Sequence, residues 1–172
     1  MINYLRTRRS VRKYEPGNIE DDKIEILQEA LLRSPTSRNF RPWEFIFVVD
    51  RDLLLLLSQA KPHGAGFLKG AALGIVVCGD ESRSDVWVED CSIASILVQM
   101  TAQSLGLGSC WIQIRKRTHA QGMTSEAYIQ QVLGLPENLK VESIISIGYP
   151  AEKKEAIPKE KLETQKIRIN RY

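Results

Sequence analysis

Histidine and cysteine are scarce in this chain. Its 172 residues hold two histidines, His63 and His119, and three cysteines, Cys78, Cys91 and Cys110. Neither histidine lies near another soft ligand in sequence, which argues against a zinc site. The odd cysteine count and the lack of any CxxC give no disulfide framework, and two of the three sit inside apolar runs, where cysteine is usually a small buried hydrophobe. Long apolar runs are missing too. The longest, Phe45–Val49, Leu53–Leu57 and Gly74–Cys78, fall far short of the roughly 18 residues that read as a membrane span. The first residues carry no apolar stretch of signal-peptide length, so a cytoplasmic protein is expected. No GxSxG supports a serine hydrolase. His63–Gly70 is glycine-rich but follows no strand and lacks a GK[ST] ending, so it reads as a mobile surface loop rather than a phosphate cradle. Gly106-Leu107-Gly108 follows a helix and precedes a strand, the reverse of dinucleotide-binding order; Gly106 reads as a helix C-cap.

What is present describes one ordinary domain over residues 1–172. A hydrophobic content of 43% and a charged content of 26% exclude a disordered chain. No repeat, low-complexity segment or linker interrupts it. The net charge of +3 conceals an asymmetry: residues 6–13 carry +5, residues 152–171 carry +3, and the body between carries −5. Basic ends on an acidic body suit nucleic-acid tails or convergence on one bound phosphate. Ile2, Leu5, Val11 and Tyr14 flank the first cluster, and Ile167 and Ile169 lie within the second. Packed ends of this kind favour a defined site over a nucleic-acid partner.

The periodicity predicts a helix opening at Asn18-Ile19-Glu20-Asp21, with Asn18 as N-cap and Ile24, Leu27 and Leu31 as one stripe, stopped by Pro35. A strand at Phe45–Val49, a short helix after Asp50, and a strand at 73–78 covered on both faces follow. Further strands are expected at Ser109–Ile114 and Ser143–Ile147, and a helix near Glu126–Leu133. The longest helix, about Ser84–Leu105, is apolar nearly all round and so must be surrounded by protein. Either its own sheet wraps it, or part of it packs on a second subunit through Ser92, Ser95 and Ala102. Paired acids such as Glu89-Asp90 sit at helix starts, where acids are expected anyway.

Two segments carry chemistry. In Arg8-Arg9-Ser10-Val11-Arg12-Lys13-Tyr14, guanidinium forks and a hydroxyl can surround a phosphate; the same stretch also reads as a solvated basic segment. Pro35-Thr36-Ser37-Arg38-Asn39-Phe40-Arg41-Pro42-Trp43 is dense in donors and acceptors suited to the polar edge of a heteroaromatic ring, or is an ordinary helix-to-strand turn.

Together, RRSVRKY, PTSRNFRPWEF, LGLGSCWI and the terminal KIRINRY resemble, in order and over essentially the whole chain, the nitroreductase family of FMN-dependent oxidoreductases. The resemblance implies an α+β fold, helices around a mainly antiparallel central sheet, in an intertwined homodimer with two tightly bound FMN molecules at the interface. It also implies NADH or NADPH as electron donor, and a C-terminal segment reaching over the partner. Carried over by position, Arg8, Ser10 and Arg12 match phosphate and ribityl contacts, and Arg9 lies by the pyrimidine edge. Pro35, Thr36, Ser37 and Asn39 match a loop from the other subunit. Gly108, Ser109, Cys110, Trp111 and Ile112 match the strand lining the ring, and Lys166 and Arg168 match the basic tail near the phosphate. Neither a catalytic side chain nor a metal is implied, and no membrane or nucleic-acid partner.

Three departures stand out. Arg41 replaces a common glutamine, and Gln113 a common glycine. Only about six residues separate the second strand from the long helix, where larger members carry a covering excursion. An open cleft is therefore expected, or a lid built from elsewhere, with Pro62–Gly70 as the candidate. The implied chemistry is ping-pong hydride transfer through flavin N5 to nitroaromatic, quinone or similar acceptors. Dehalogenation, enone reduction and flavin fragmentation are the alternatives within the family.

Overall fold

A computed structural model describes residues 1–120 and 122–172. Five α-helices and four strands alternate along the described residues: α1 (Ile2–Thr7), α2 (Asp21–Leu32), β1 (Trp43–Val48), α3 (Arg51–Leu57), β2 (Leu73–Asp80), α4 (Trp87–Ser104), β3 (Gly108–Gln113), α5 (Ser125–Leu133) and β4 (Leu139–Gly148). Local signals set several boundaries. The Asp50 carboxylate accepts from the Leu53 N–H at 2.9 Å and opens α3, and the Thr124 hydroxyl accepts from the Ala127 N–H at 3.0 Å and opens α5. Gly134 closes α5 in the left-handed conformation, φ 65°, which costs glycine little. The predicted Asn18 cap is corrected: the residue before α2 is Glu20, in extended backbone, and its carboxylate accepts from the Tyr149 hydroxyl at 2.5 Å instead of capping. That bond and Lys23, 3.2 Å away, hold the Glu20 carboxyl down at about 2.

The sheet runs β1-β2-β4-β3, every neighbouring pair antiparallel. The N-terminal segment adds one parallel bridge, Ser10 to Ser109. β2 occupies the centre and is buried on both faces up to Asp80, as its unbroken apolar run requires. On one face α2 and α4 pack Leu27, Leu31, Cys91, Ala94, Val98 and Ala102 against Ile75, Val77, Ile145 and Ile147. On the other, α3, α5 and the turn at Gly66–Gly70 pack Leu54, Leu57, Leu68 and Ile129 against Val76, Ile112 and Ile144. Burying each of these large side chains contributes about 1.5–3 kcal/mol. Ala65 and Leu68 are fully buried, so the stretch predicted as a mobile loop is anchored into this second core.

Two expectations about packing are also corrected. Ser95 and Ala102 are fully buried against the chain's own sheet, with the Ser95 and Ser143 hydroxyls 3.4 Å apart. Small residues lie where the helix approaches the strands most closely. The outward face of α4 instead presents Ile93 and Ile96, 40% and 42% exposed. Likewise, the apolar residues of the two ends are packed within one chain only in part: Val11 is buried and Tyr14 half-buried, but the outermost ones are not. α1 buries no residue, and Ile167 and Ile169 stand 71% and 82% exposed.

Gly108 shows how the N-terminal segment docks. A Cβ there would meet the Val11 side chain at 2.8 Å, and the Val11 N–H donates to the Ser109 carbonyl at 3.0 Å. Gly108→Ala should therefore lift residues 8–12 off β3 and destabilise the fold by about 1–3 kcal/mol, as overpacking does. Urea unfolding of parent and variant checks it.

Candidate functional site

The docking of Val11 places its neighbours over the start of β3. Ser10, Arg12, Lys154 and Arg8 all stand around the Cys110 thiol, which burial holds above its ordinary range. The Lys154 ammonium donates to the Ser10 carbonyl at 2.6 Å, and the Arg12 N–H donates to the Glu152 carboxylate at 2.6 Å. Lys154 also pairs with Glu152 at 3.2 Å. Tyr14 pins this segment from beneath, its hydroxyl 2.8 Å from the Val11 carbonyl and 2.7 Å from the Ser146 hydroxyl. Two guanidiniums, an ammonium and a hydroxyl around one glycine-opened strand make a donor set that fits a phosphate dianion. The Arg12 guanidinium lies 5.7 Å from the Phe67 ring, which brings the Gly66–Gly70 turn to the edge of this cluster.

Lys154 carries no signal of its place in the sequence. It arrives because Tyr14 bridges Pro150 across the chain, a long-range pairing with no local signature. Of the other basic residues, Arg9 turns toward the C-terminal segment and donates to the Glu155 carbonyl. Lys166 pairs with Glu163 at 2.7 Å, and Arg168 lies 5.3 Å from the Tyr172 ring. Both are exposed and make their contacts within the tail.

The second segment is built around a buried carboxylate. Asp90, 3% exposed in the first turn of α4, accepts from the Ser37 N–H at 2.9 Å. The Thr36 hydroxyl accepts from the Arg41 N–H at 3.0 Å, and the Asn39 side-chain carbonyl from Arg41 Nε at 2.9 Å. These bonds hold Arg38, Asn39 and Arg41 at φ 49°, 57° and 48°, a left-handed conformation that non-glycine residues rarely adopt. Pro35 and Asn39 are exposed; Thr36 and Ser37 are half-buried. Asp90, by its position an ordinary helix-start acid, is thus the loop's anchor. Asp90→Ala removes a charge-assisted hydrogen bond worth about 1.5–3 kcal/mol. Faster tryptic cleavage at Arg38, with a lowered unfolding midpoint, is the expected result.

Within β3, Gly108, Ser109, Cys110 and Ile112 are buried and Trp111 is half-buried. Ile112 points into the core beneath α3 and α5, so at this position only the main chain is available on the Trp111 face. The Trp111 indole N–H donates to the Gln113 side-chain carbonyl at 2.9 Å. The Asp90-held loop and the Arg12 cluster lie toward opposite ends of α4, with some 14 residues between Asp90 and the helix end, about 20 Å along the axis. One chain keeps the two donor sets apart.

An all-antiparallel sheet between two helical layers, with a cation cluster on its edge strand and a polar loop at the far end of the central helix, defines an α+β protein with two separate polar sites. The family model described as "Nitroreductase family" matches residues 5–63 and 48–149, and the chain belongs to that family. An FMN-dependent nitroreductase from Clostridium difficile R20291 superposes with a TM-score of 0.98, is 43% identical and covers 100% of both chains. An Archaeoglobus fulgidus protein provisionally named an NADH dehydrogenase/NAD(P)H nitroreductase is 37% identical over 90% of this chain and 87% of its own. A Bacillus subtilis protein named FMN reductase [NAD(P)H] is 25% identical over 99% of this chain and 75% of its own. The family and the α+β architecture expected from the motifs are those observed. No described helix is long and apolar enough to cross a membrane.

Proposed function

We propose that residues 1–172 form a single FMN-binding domain that acts, as a homodimer, as an NAD(P)H oxidoreductase for nitroaromatic, quinone or similar electron-poor acceptors. The observation that carries this reading is the convergence of Arg8, Ser10, Arg12 and Lys154 on the start of β3. Those four would hold the FMN phosphate, and the main chain of Gly108–Ile112 with the Trp111 face would line the ring. Thr36, Ser37 and Asn39 of the Pro35-led loop would supply donors and acceptors from the partner. Lys166 and Arg168 would reach the phosphate from a tail laid across the dimer. Hydride acceptance and release are the chemistry that FMN supplies when bound. The chain's part is binding, orientation and charge: Arg9 would favour negative charge at the pyrimidine end, and no side chain is needed to move a proton. Three buried free cysteines suit the reducing cytoplasm.

The test is spectroscopic and kinetic. The purified protein should be yellow, bleach with NADH or NADPH under anaerobic conditions, and recover its colour on adding a quinone or nitroaromatic. Initial rates should give parallel double-reciprocal lines. A colourless protein whose flavin-free form fails to bind FMN overturns the reading, and intersecting lines overturn the ping-pong order.

A further inference from the structure

The turn that follows β3 gathers positive charge that the flavin site leaves unused. Ile114 to Arg117 close a hydrogen-bonded turn, the Arg117 N–H donating to the Ile114 carbonyl at 3.0 Å. Its third residue is Lys116, at φ 57°, a conformation that turns ordinarily give to glycine or asparagine at this place. A lysine there strains the backbone, and folding alone would favour another residue. Strain of this kind gathers where a chain binds something.

The turn is fixed from several sides. The Ile114 and Arg115 N–H groups donate to the Glu142 carbonyl at 3.2 and 3.1 Å, and the Arg117 carbonyl accepts from the Ser125 N–H at 2.9 Å. Gln113 Nε2 donates to the Arg115 carbonyl at 3.1 Å. Arg115, Lys116 and Arg117 line a cavity of about 390 Å³ together with Lys140, Trp87 and Thr124, within the roughly 300–1,000 Å³ of small-molecule sites. Two carboxylates border the same cavity, and both are engaged. Glu81 pairs with Lys140 at 3.5 Å, and Glu126 Oε2 accepts from the Val141 N–H at 2.9 Å. Arg115 favours the charged form of the buried Glu142 and lies 5.7 Å from the Trp87 ring. Lys116 and Arg117 are exposed and, among the described residues, enter no ion pair. Lys61 adds a charge beside them: its ammonium donates to the Gln113 carbonyl at 3.1 Å, and burial and Arg117 together hold it below its ordinary range.

The place of this surplus narrows its ligand. β3 runs about 17 Å from Gly108 to Gln113, with the Arg12 cluster at one end and the turn at the other, so one phosphate cannot meet both. A ring lying along Gly108–Ile112 sits between them, and a dinucleotide stacked on that ring can run its adenosine end past Gln113 to the turn. A phosphate monoester brings three acceptor oxygens and close to two negative charges, which guanidinium forks and an ammonium match. Glu81 and Glu126 would repel a nucleic-acid backbone laid through the cavity, but leave room for a single terminal phosphate.

We propose that the Arg115–Arg117 turn binds the 2′-phosphate of NADPH, Lys116 and Arg117 being its main ligands, and so selects that donor over NADH. The assignment of the anion to the electron donor rests on the proposed flavin site.

Steady-state rates of the flavin-loaded protein, with one quinone as acceptor, should favour NADPH over NADH. Lys116→Gln and Arg117→Gln should each lower kcat/KM for NADPH about 10-fold, the loss of one charge-assisted contact, through KM, and leave NADH within about 2-fold. Lys116→Gly, which relieves the left-handed backbone, should cost NADPH the same factor with a urea midpoint at or above the parent's, so unfolding does not account for the loss. Binding is read separately by titrating the ¹⁵N-labelled protein with adenosine 2′,5′-bisphosphate. The amide resonances of Arg115–Arg117 should shift and saturate, adenosine 5′-monophosphate should bind at least about 10-fold more weakly, and Lys116→Gln should abolish the difference. Still resonances at the turn, equal binding of the two nucleotides, or variants that slow both donors alike each overturn the proposal. A protein that holds no FMN overturns the proposed function instead, and the nucleotide titration then still decides whether the turn prefers a 2′-phosphate.

Discussion

Alanine at Arg12 should weaken FMN binding about 10–150-fold, the loss of one charge-assisted contact worth about 1.5–3 kcal/mol. Lys154→Ala should cost a similar factor. The pair is not independent, since both cations would act on the same phosphate; neighbours that act on one group couple, so the loss in the double variant should differ from the product of the two single losses. The fold should survive Arg12→Ala, because the side chain is exposed and its described contact is the Phe67 ring. Fluorescence titration of the flavin-free proteins, alongside their urea midpoints, separates the two effects. A double variant that binds FMN as the parent does would remove the phosphate from this cluster.

Much of that cluster is legible in the amino-acid sequence. Arg8, Ser10 and Arg12 are close in sequence and alternate along an extended segment, so their grouping is local. α2 and β2 are legible for the same reason: Leu27 and Leu31 recur at helical spacing, and residues 73–78 form an apolar run too short for anything but a covered strand. Lys154 and Asp90 are not legible. The first reaches Ser10 across 144 residues of chain, and the second reaches Ser37 across 53. Both depend on how elements pack, which composition and periodicity do not encode. The outward face of α4 is hidden for a different reason. Ile93, Ile96, Leu97 and Met100 cover one side and Cys91, Ala94, Val98 and Ala102 the other, so periodicity finds no polar face to mark as outside. The close approach of helix to sheet decides it, and that selects small residues inward. α1 gives no signal because six residues with no buried member leave no apolar stripe.

Ile96→Glu should break the proposed dimer and release flavin together, because it places a carboxylate on the face of α4 left without cover in one chain. Ile93 and Ile96 stand 40% and 42% exposed on a helix otherwise packed against its own sheet. Burying each contributes about 1.5–3 kcal/mol, and an unpaired charge taken out of water at the same place costs several kcal/mol. The monomer has no reason to unfold, since residue 96 belongs to neither buried cluster. Ala102→Glu is the contrast: fully buried beneath the same helix, it should collapse the fold rather than dissociate it. Because the loop at Ser37 and the cluster at Arg12 lie about 20 Å apart along α4 within one chain, a flavin that touches both must draw on two copies. Cofactor binding and association are then linked by mass action. Size-exclusion chromatography with light scattering, and flavin quantified on the same fractions, reads both at once. Ile96→Glu is expected as a folded, flavin-depleted monomer. A parent monomer holding one FMN per chain, or a variant dimer with full flavin content, would show that each chain completes its site alone.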